Sequence, residues 1–190
     1  MPNRVRYGLK NAYYAVLTFG ADNTPSFGTP KRLPGAVSLT LSSNSEQSVF
    51  RADDIDYYIA SANNGYDGDF EIALIPDSFE VDCLGSQIDN NGLLVETASD
   101  EGKPFALLFE FTGDAKAIRH CLYNCKASRG DIEGETKGET VEVATENLTF
   151  TASPLPDSQL IKSTTRDATD EAAYDAWYTA VTLPDFSASE

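Results

Sequence analysis

Short stretches of this chain alternate apolar and polar residues with a period of two, and glycine, proline or asparagine cuts each one off. "AVSLTLSS" sets Val37, Leu39 and Leu41 against Ser38, Thr40 and Ser42. Successive strand side chains point to opposite faces, so this pattern predicts a half-buried β-strand. "RYGLKNAYYAVLTFG", rich in aromatic and β-branched residues, reads as an opening strand. "IDYYIAS", "FEIALI" and "KAIRHCLYNCKASR" read as further strands, the last with Cys121, Tyr123 and Cys125 on one face. "NNGLLVETASDEGKPFALLFEFTG" reads as two strands around a glycine-containing turn, and "TVEVATENLTFTASPLP" alternates again. "GDIEGETKGE" is a polar loop. Strands never alternate with helices, which excludes a doubly wound parallel sheet. The prediction is a mainly β chain: an antiparallel β-sandwich or open barrel with one or two flanking α-helices.

Two segments carry helix signals. "PDSFEVDCLGS" opens on Pro76, places acids in its early turns and closes on Gly85. "TRDATDEAAYDAWYTAV" repeats Tyr174, Trp177 and Val181 along one face, with Asp167 as the expected cap and Pro184 as the stop. Trp177 is expected to dock on the sheet.

At 190 residues the chain is expected to form one domain spanning 1–190. A chain of that size buries roughly 70% of its unfolded surface without disulfide staples. Its N-terminus is expected to run as an extended arm. The polar stretch at about 42–54 is longer than a usual hairpin connection and is expected to be a long inter-strand loop. The start lacks an apolar signal core and no run is long enough to span a membrane, so synthesis and retention in a cytoplasm is expected unless the chain leaves in a larger particle.

The formal net charge is −16 and unevenly spread. Residues 1–36 hold five cations (Arg4, Arg6, Lys10, Lys31, Arg32) against Asp22, a net of +4, and the remainder nets −20. Such a balance disfavours direct nucleic-acid or anionic-membrane binding. It suits a basic segment that docks on the acidic part of a neighbour.

No phosphate loop, dinucleotide fingerprint, zinc-protease helix or nucleophile elbow occurs. Cys83, Cys121 and Cys125 are an odd, low count and read as buried free thiols. The lone His120 shares a strand with Cys121, and adjacent strand residues face opposite ways, so no dyad forms. "NNGYDGDFE" departs from the calcium-loop pattern; Asp67 and Asp69 read as turn residues, with a weak cation site as the lesser reading. No catalytic, cofactor or metal residue is assigned. The residues alone favour a structural or binding protein over an enzyme. One alternative is an acidic DNA mimic. Another is a carbohydrate-binding or adhesin sandwich using Tyr13, Tyr14, Tyr57 and Tyr58.

Four segments in order, "VRYGLKNAYYAVLT", "FRADDIDYYIASANNGYDGDFEIALIPDSF", "IRHCLYNCKASR" and "ATDEAAYDAWYTAV", carry a more specific signal. The set, from about Val5 to Pro184, resembles the major tail (tail tube) proteins of long non-contractile-tailed bacteriophages of Gram-positive bacteria. The resemblance implies a tail-tube fold whose hexameric rings stack into a tube in the virion. Assembly is expected in the host cytoplasm, with other tail proteins as further partners. DNA passes through the lumen without specific binding, and no cofactor, metal or catalytic residue is implied. Contacts between subunits are then expected at Arg4, Arg6, Lys10, Lys31 and Arg32, and at Ser45, Glu46, Phe50, Asp53 and Asp54 of the polar excursion. Lumen-facing strand residues are expected to be polar and net acidic.

Overall fold

A computed structural model describes residues 3–130 and 144–186. Most of the expected polar loop at 130–139 lies outside the described residues. The strands are β1 (Arg6–Phe19), β2 (Pro25–Phe27), β3 (Lys31–Arg32), β4 (Ala36–Ala52), β5 (Ile55–Ile72), β6 (Gln87–Ile88), β7 (Leu94–Val95), β8 (Phe105–Gly113), β9 (Ile118–Ala127), β10 (Glu146–Ala152) and β11 (Lys162–Thr164). Helix α1 (Asp77–Phe79) runs into a π turn at Glu80–Leu84, and α2 (Glu171–Asp175) continues as a 3-10 turn at Ala176–Tyr178. The main sheet is antiparallel, in the order β2-β1-β8-β9-β10-β5-β4, with β3 beside β1 and β11 beside β9.

This sheet folds over on itself. Tyr14, Phe70, Ile72, Phe79, Phe105, Leu107, Phe109, Leu122, Leu148 and Phe150 form one core between β1-β8-β9 and β10-β5-β4. Each fully buried side chain of this size contributes roughly 1.5–3 kcal/mol. The opposite face of β1-β8-β9 is also covered. Ala15, Leu17, Ala106, Leu108, Cys121 and Tyr123 meet Leu155, Leu160, Trp177, Tyr178 and Val181. The middle layer is therefore buried on both sides, which is why "FALLFE" is apolar almost throughout.

A buried polar cluster fastens the C-terminal segment to that second face. Glu110, 7% exposed, accepts from Asn11 Nδ2 (2.7 Å), Arg119 Nε (3.1 Å) and the Tyr178 hydroxyl (3.0 Å). Arg119 also donates to the Tyr174 carbonyl and lies over the rings of Tyr174 and Tyr178. Charged groups are stable inside only when satisfied in this way.

Several expectations change in detail. Asp170, not Asp167, caps α2, accepting from the backbone N–H of Ala172 and Ala173. Cys125 lies in the first core and Cys121 and Tyr123 in the second, because a bulge between β8 and β9 inverts the alternation. Leu39 and Leu41 pack inward, but Val37 sits at a register shift and is 51% exposed. The N-terminus is not an extended arm within the described residues. Asn3 accepts from the backbone N–H of Ala115 and Lys116, and Asp114 accepts from that of Arg4.

The largest correction concerns 42–54. Here β4 and β5 continue as one antiparallel ribbon paired down to Ala52 and Ile55. The reversal is made by Asp53 and Asp54, with φ of 53° and 61°, the left-handed pair that a two-residue hairpin turn requires. The "ANNGYDGD" segment, expected as a turn, is strand with a bulge near Gly65. Gly65 has φ 110°, and a Cβ there would lie 1.8 Å from the Ala152 carbonyl oxygen. Gly68 lies under the Phe150 ring, where a Cβ would meet it at 2.3 Å. Both glycines serve close approach rather than chain reversal.

Candidate functional site

The outward face of β4, β5 and β10 is a regular polar grid. Cross-strand pairing aligns Ser38, Glu71 and Asn147 in one row. Thr40, Asp69 and Thr149 form the next, and Ser42, Asp67 and Thr151 the third. The intervening side chains Phe70, Ile72, Leu148 and Phe150 are buried beneath. Three carboxylates thus stand two residues apart along one strand, at steps of about 6.8 Å. Hydroxyls and an amide hold two of them. Glu71 accepts from Thr145 (2.8 Å) and Ser38 (2.9 Å), and Asp67 accepts from Thr151 (3.1 Å) and Asn44 (3.2 Å). The Thr145 and then the Ser38 hydrogen bond hold the Glu71 carboxyl below its usual range. Lys126, opposite Thr151, is the cation at the border of this face.

The grid answers the question raised by Asp67 and Asp69. Straight-strand spacing spreads the acids instead of converging them. Among the described residues no group of three or more His, Cys, Asp or Glu side chains is placed to hold a metal ion.

Beyond Tyr66, β5 loses its second neighbour and only β4 and β5 remain, projecting as a two-stranded arm. A free ribbon is marginal in water unless a partner covers it. Its distal half carries Val49, Phe50, Ile55, Tyr57, Tyr58 and Ile59, all exposed, with Val49 opposite Ile59 and Phe50 opposite Tyr58. Val49 and Phe50 adjoin on one strand, so both faces of the arm are apolar. Ser45, Glu46 and Phe50 lie on β4 within this arm, and Asp53 and Asp54 form its tip. Opposed apolar side chains from 49 to 59 were the signal that the stretch is a ribbon.

The basic residues are dispersed. Lys31 is spent inside the subunit, 2.5 Å from Asp82, which also accepts from Tyr14. Arg32 is exposed on β3 beside Tyr13. Lys10 pairs in register with Glu110, and Arg6 lies over the Phe111 ring at 5.3 Å. Arg4 is exposed next to Asp114. The aromatic residues of the sugar-binding alternative are also separated. Tyr14 is fully buried, Tyr13 stacks on Tyr178, and Tyr57 and Tyr58 stand on the arm.

His120 is 8% exposed, stacked on Phe109 and bonded through Nδ1 to Thr164 Oγ1 at 3.1 Å. Burial raises the thiol pKa values of all three cysteines, Cys83 to about 12. None of these groups is poised for nucleophilic chemistry.

Comparison with known families decides what these surfaces belong to. The family described as phage tail tube protein matches residues 2–182. The chain belongs to the phage tail tube protein family. It is accordingly a structural component of a virion, not an enzyme, and assembles with itself and with other tail proteins. No helix among the described residues is long and apolar enough to cross a membrane. No curated protein matches this tail tube protein. Among solved structures, the tube-terminating cap of an anti-feeding prophage is similar at 10% identity and a TM-score of 0.48, covering 85% of this chain and 93% of that one.

Proposed function

We propose that six copies close into a ring, that rings stack into the tail tube, and that the polar grid of β4, β5 and β10 lines the lumen through which DNA passes. The observation that carries this reading is the grid itself. It combines a flat hydrogen-bonding surface with Asp67, Asp69 and Glu71, and Lys126 only at its border. A cationic wall would hold DNA by releasing counterions, whereas an acidic one repels the phosphates and leaves the duplex free to slide. Among the described residues no strand lies along the outer edge of β4, and an unpaired edge of this length invites a neighbour. With these three strands from each of six copies, at about 4.8 Å per strand and a tilt near 40°, the wall has a diameter of roughly 36 Å, which still admits a duplex about 20 Å wide.

Electron microscopy of concentrated protein tests the assembly, with six-fold rings and tubes expected. Asp67→Lys with Asp69→Lys tests the lumen. Tubes should still form, but DNA release from particles carrying the variant should slow, most at low salt. Unchanged release from particles with normal tails would remove the grid from the lumen.

A further inference from the structure

In a chain of net charge −16, one place gathers three cations from two separate segments. Arg6 opens β1, and its guanidinium lies over Phe111, whose ring packs edge-on against His120. Across the sheet, Thr164 pairs with His120 in register. Lys162 and Arg166 stand two residues before and after Thr164, so both flank the same imidazole. Arg6, Lys162 and Arg166 are exposed, and among the described residues none of them is in an ion pair with a carboxylate. Lys162 instead donates to the Tyr66 hydroxyl at 3.0 Å. Beside them opens a cleft of about 340 Å³ lined in part by Asn3, Lys116, Arg166 and Asp167. His120 does not line this cleft; its Nε2 is buried without a hydrogen-bond partner among the described residues. The surrounding positive field has an internal witness: after burial, Lys162, Arg6 and Arg166 are what push the imidazole pKa down.

The molecule also carries the complementary group. Asp53 and Asp54 form the tip of the arm, fixed side by side by the left-handed turn. Arg51, the only cation of the arm, is engaged by Asp56 at 2.6 Å, which leaves the tip pair without a counter-charge among the described residues. The other described cations of the same subunit lie too far away to satisfy this tip. From Tyr66 to Asp54 the arm extends about 40 Å, whereas β9 continues only about 23 Å in that direction from Cys125 to Ile118. The tip therefore stands beyond the end of its own body.

We infer that the Asp53–Asp54 tip of one copy's arm docks on the Arg6–Lys162–Arg166 surface of another copy. This contact rests on the self-assembling reading above and names the charged partners within it. The apolar side chains of the arm supply contact area on any partner. The two acids against three cations fix where the arm stops, because like charges elsewhere on the acidic surface repel the tip.

A charge-swap series tests the contact. Arg6→Glu with Arg166→Glu, and separately Asp53→Lys with Asp54→Lys, should each raise the protein concentration needed for tube formation by tenfold or more at low salt. The full swap carried in one chain should recover most of that loss. Far-UV circular dichroism and thermal melting establish that each monomer is folded. Tubes from wild type with no recovery in the full swap, or with neither half-swap impairing assembly, would overturn the contact and leave the tube reading intact. A wild-type protein that never assembles would overturn both.

Discussion

Replacing Phe50 and Tyr58 by serine isolates the arm from the rest of the subunit. The two side chains face each other across the ribbon and are 62% and 64% exposed. Neither belongs to a buried core cluster. Losing one cross-strand pair costs the ribbon about 0.2–1 kcal/mol, and that loss stays local. The melting temperature of the monomer should move by less than about 2 °C. Assembly should respond very differently. Full burial of an aromatic side chain is worth roughly 1.5–3 kcal/mol. About two-thirds of each ring is still available to be covered, so the pair contributes about 2–4 kcal/mol per docked arm. At 1.4 kcal/mol per tenfold, the critical concentration for tubes should rise between about thirtyfold and several hundredfold. Pelleting of tubes across a dilution series measures it directly. A critical concentration within threefold of wild type, with a folded monomer, would refute the idea that a partner covers the arm.

Two further outcomes probe the subunit. Glu110→Ala should destabilise the monomer by about 3–5 kcal/mol, lowering the melting temperature by roughly 10 °C, because it strands Arg119 against the Tyr174 and Tyr178 rings; a cost under about 1 kcal/mol would show that the cluster is dispensable. His120 has its pKa pushed down from 6.5 to about 4 by burial, then by Lys162, Arg6 and Arg166. The unfolded chain therefore binds this proton more readily, so the contribution is complete above about pH 6.5 and is lost as pH falls towards 4. The loss should be on the order of 3 kcal/mol in denaturant titrations, and His120→Gln should flatten that part of the profile. An unchanged slope in the variant would assign it to other groups.

The parts of the fold with a buried face were legible in the sequence. Strands β1, β8 and β9, the Pro76–Gly85 helical turn and the docking of Trp177 all follow from patterned apolar residues. The polar grid was half visible, since Ser38, Thr40 and Ser42 already stood opposite Leu39 and Leu41. What stayed hidden had a physical reason. Alternation arises when one face of a strand is buried, and the arm has no buried face within the subunit. The stretch at about 42–54 therefore read as a loop. Gly65 and Gly68, beside Asp67 and Asp69 that read as turn residues, are required by close approach to Ala152 and Phe150, residues more than eighty positions away. Lys31 shows the same limit, because its partner Asp82 is set by tertiary packing alone.

The contrast between the doubly covered middle layer and the uncovered arm has a mechanical side. Strands β1, β8 and β9 are braced by packed side chains above and below, and such interiors compress very little. The arm is a single ribbon, two strands wide. A tail assembled from these subunits would behave as a column of stiff vertebrae joined by pliant straps. In the proposed stack of rings, a curve would gather strain in the straps on the outside of the bend, and the bore of each vertebra would keep its cross-section.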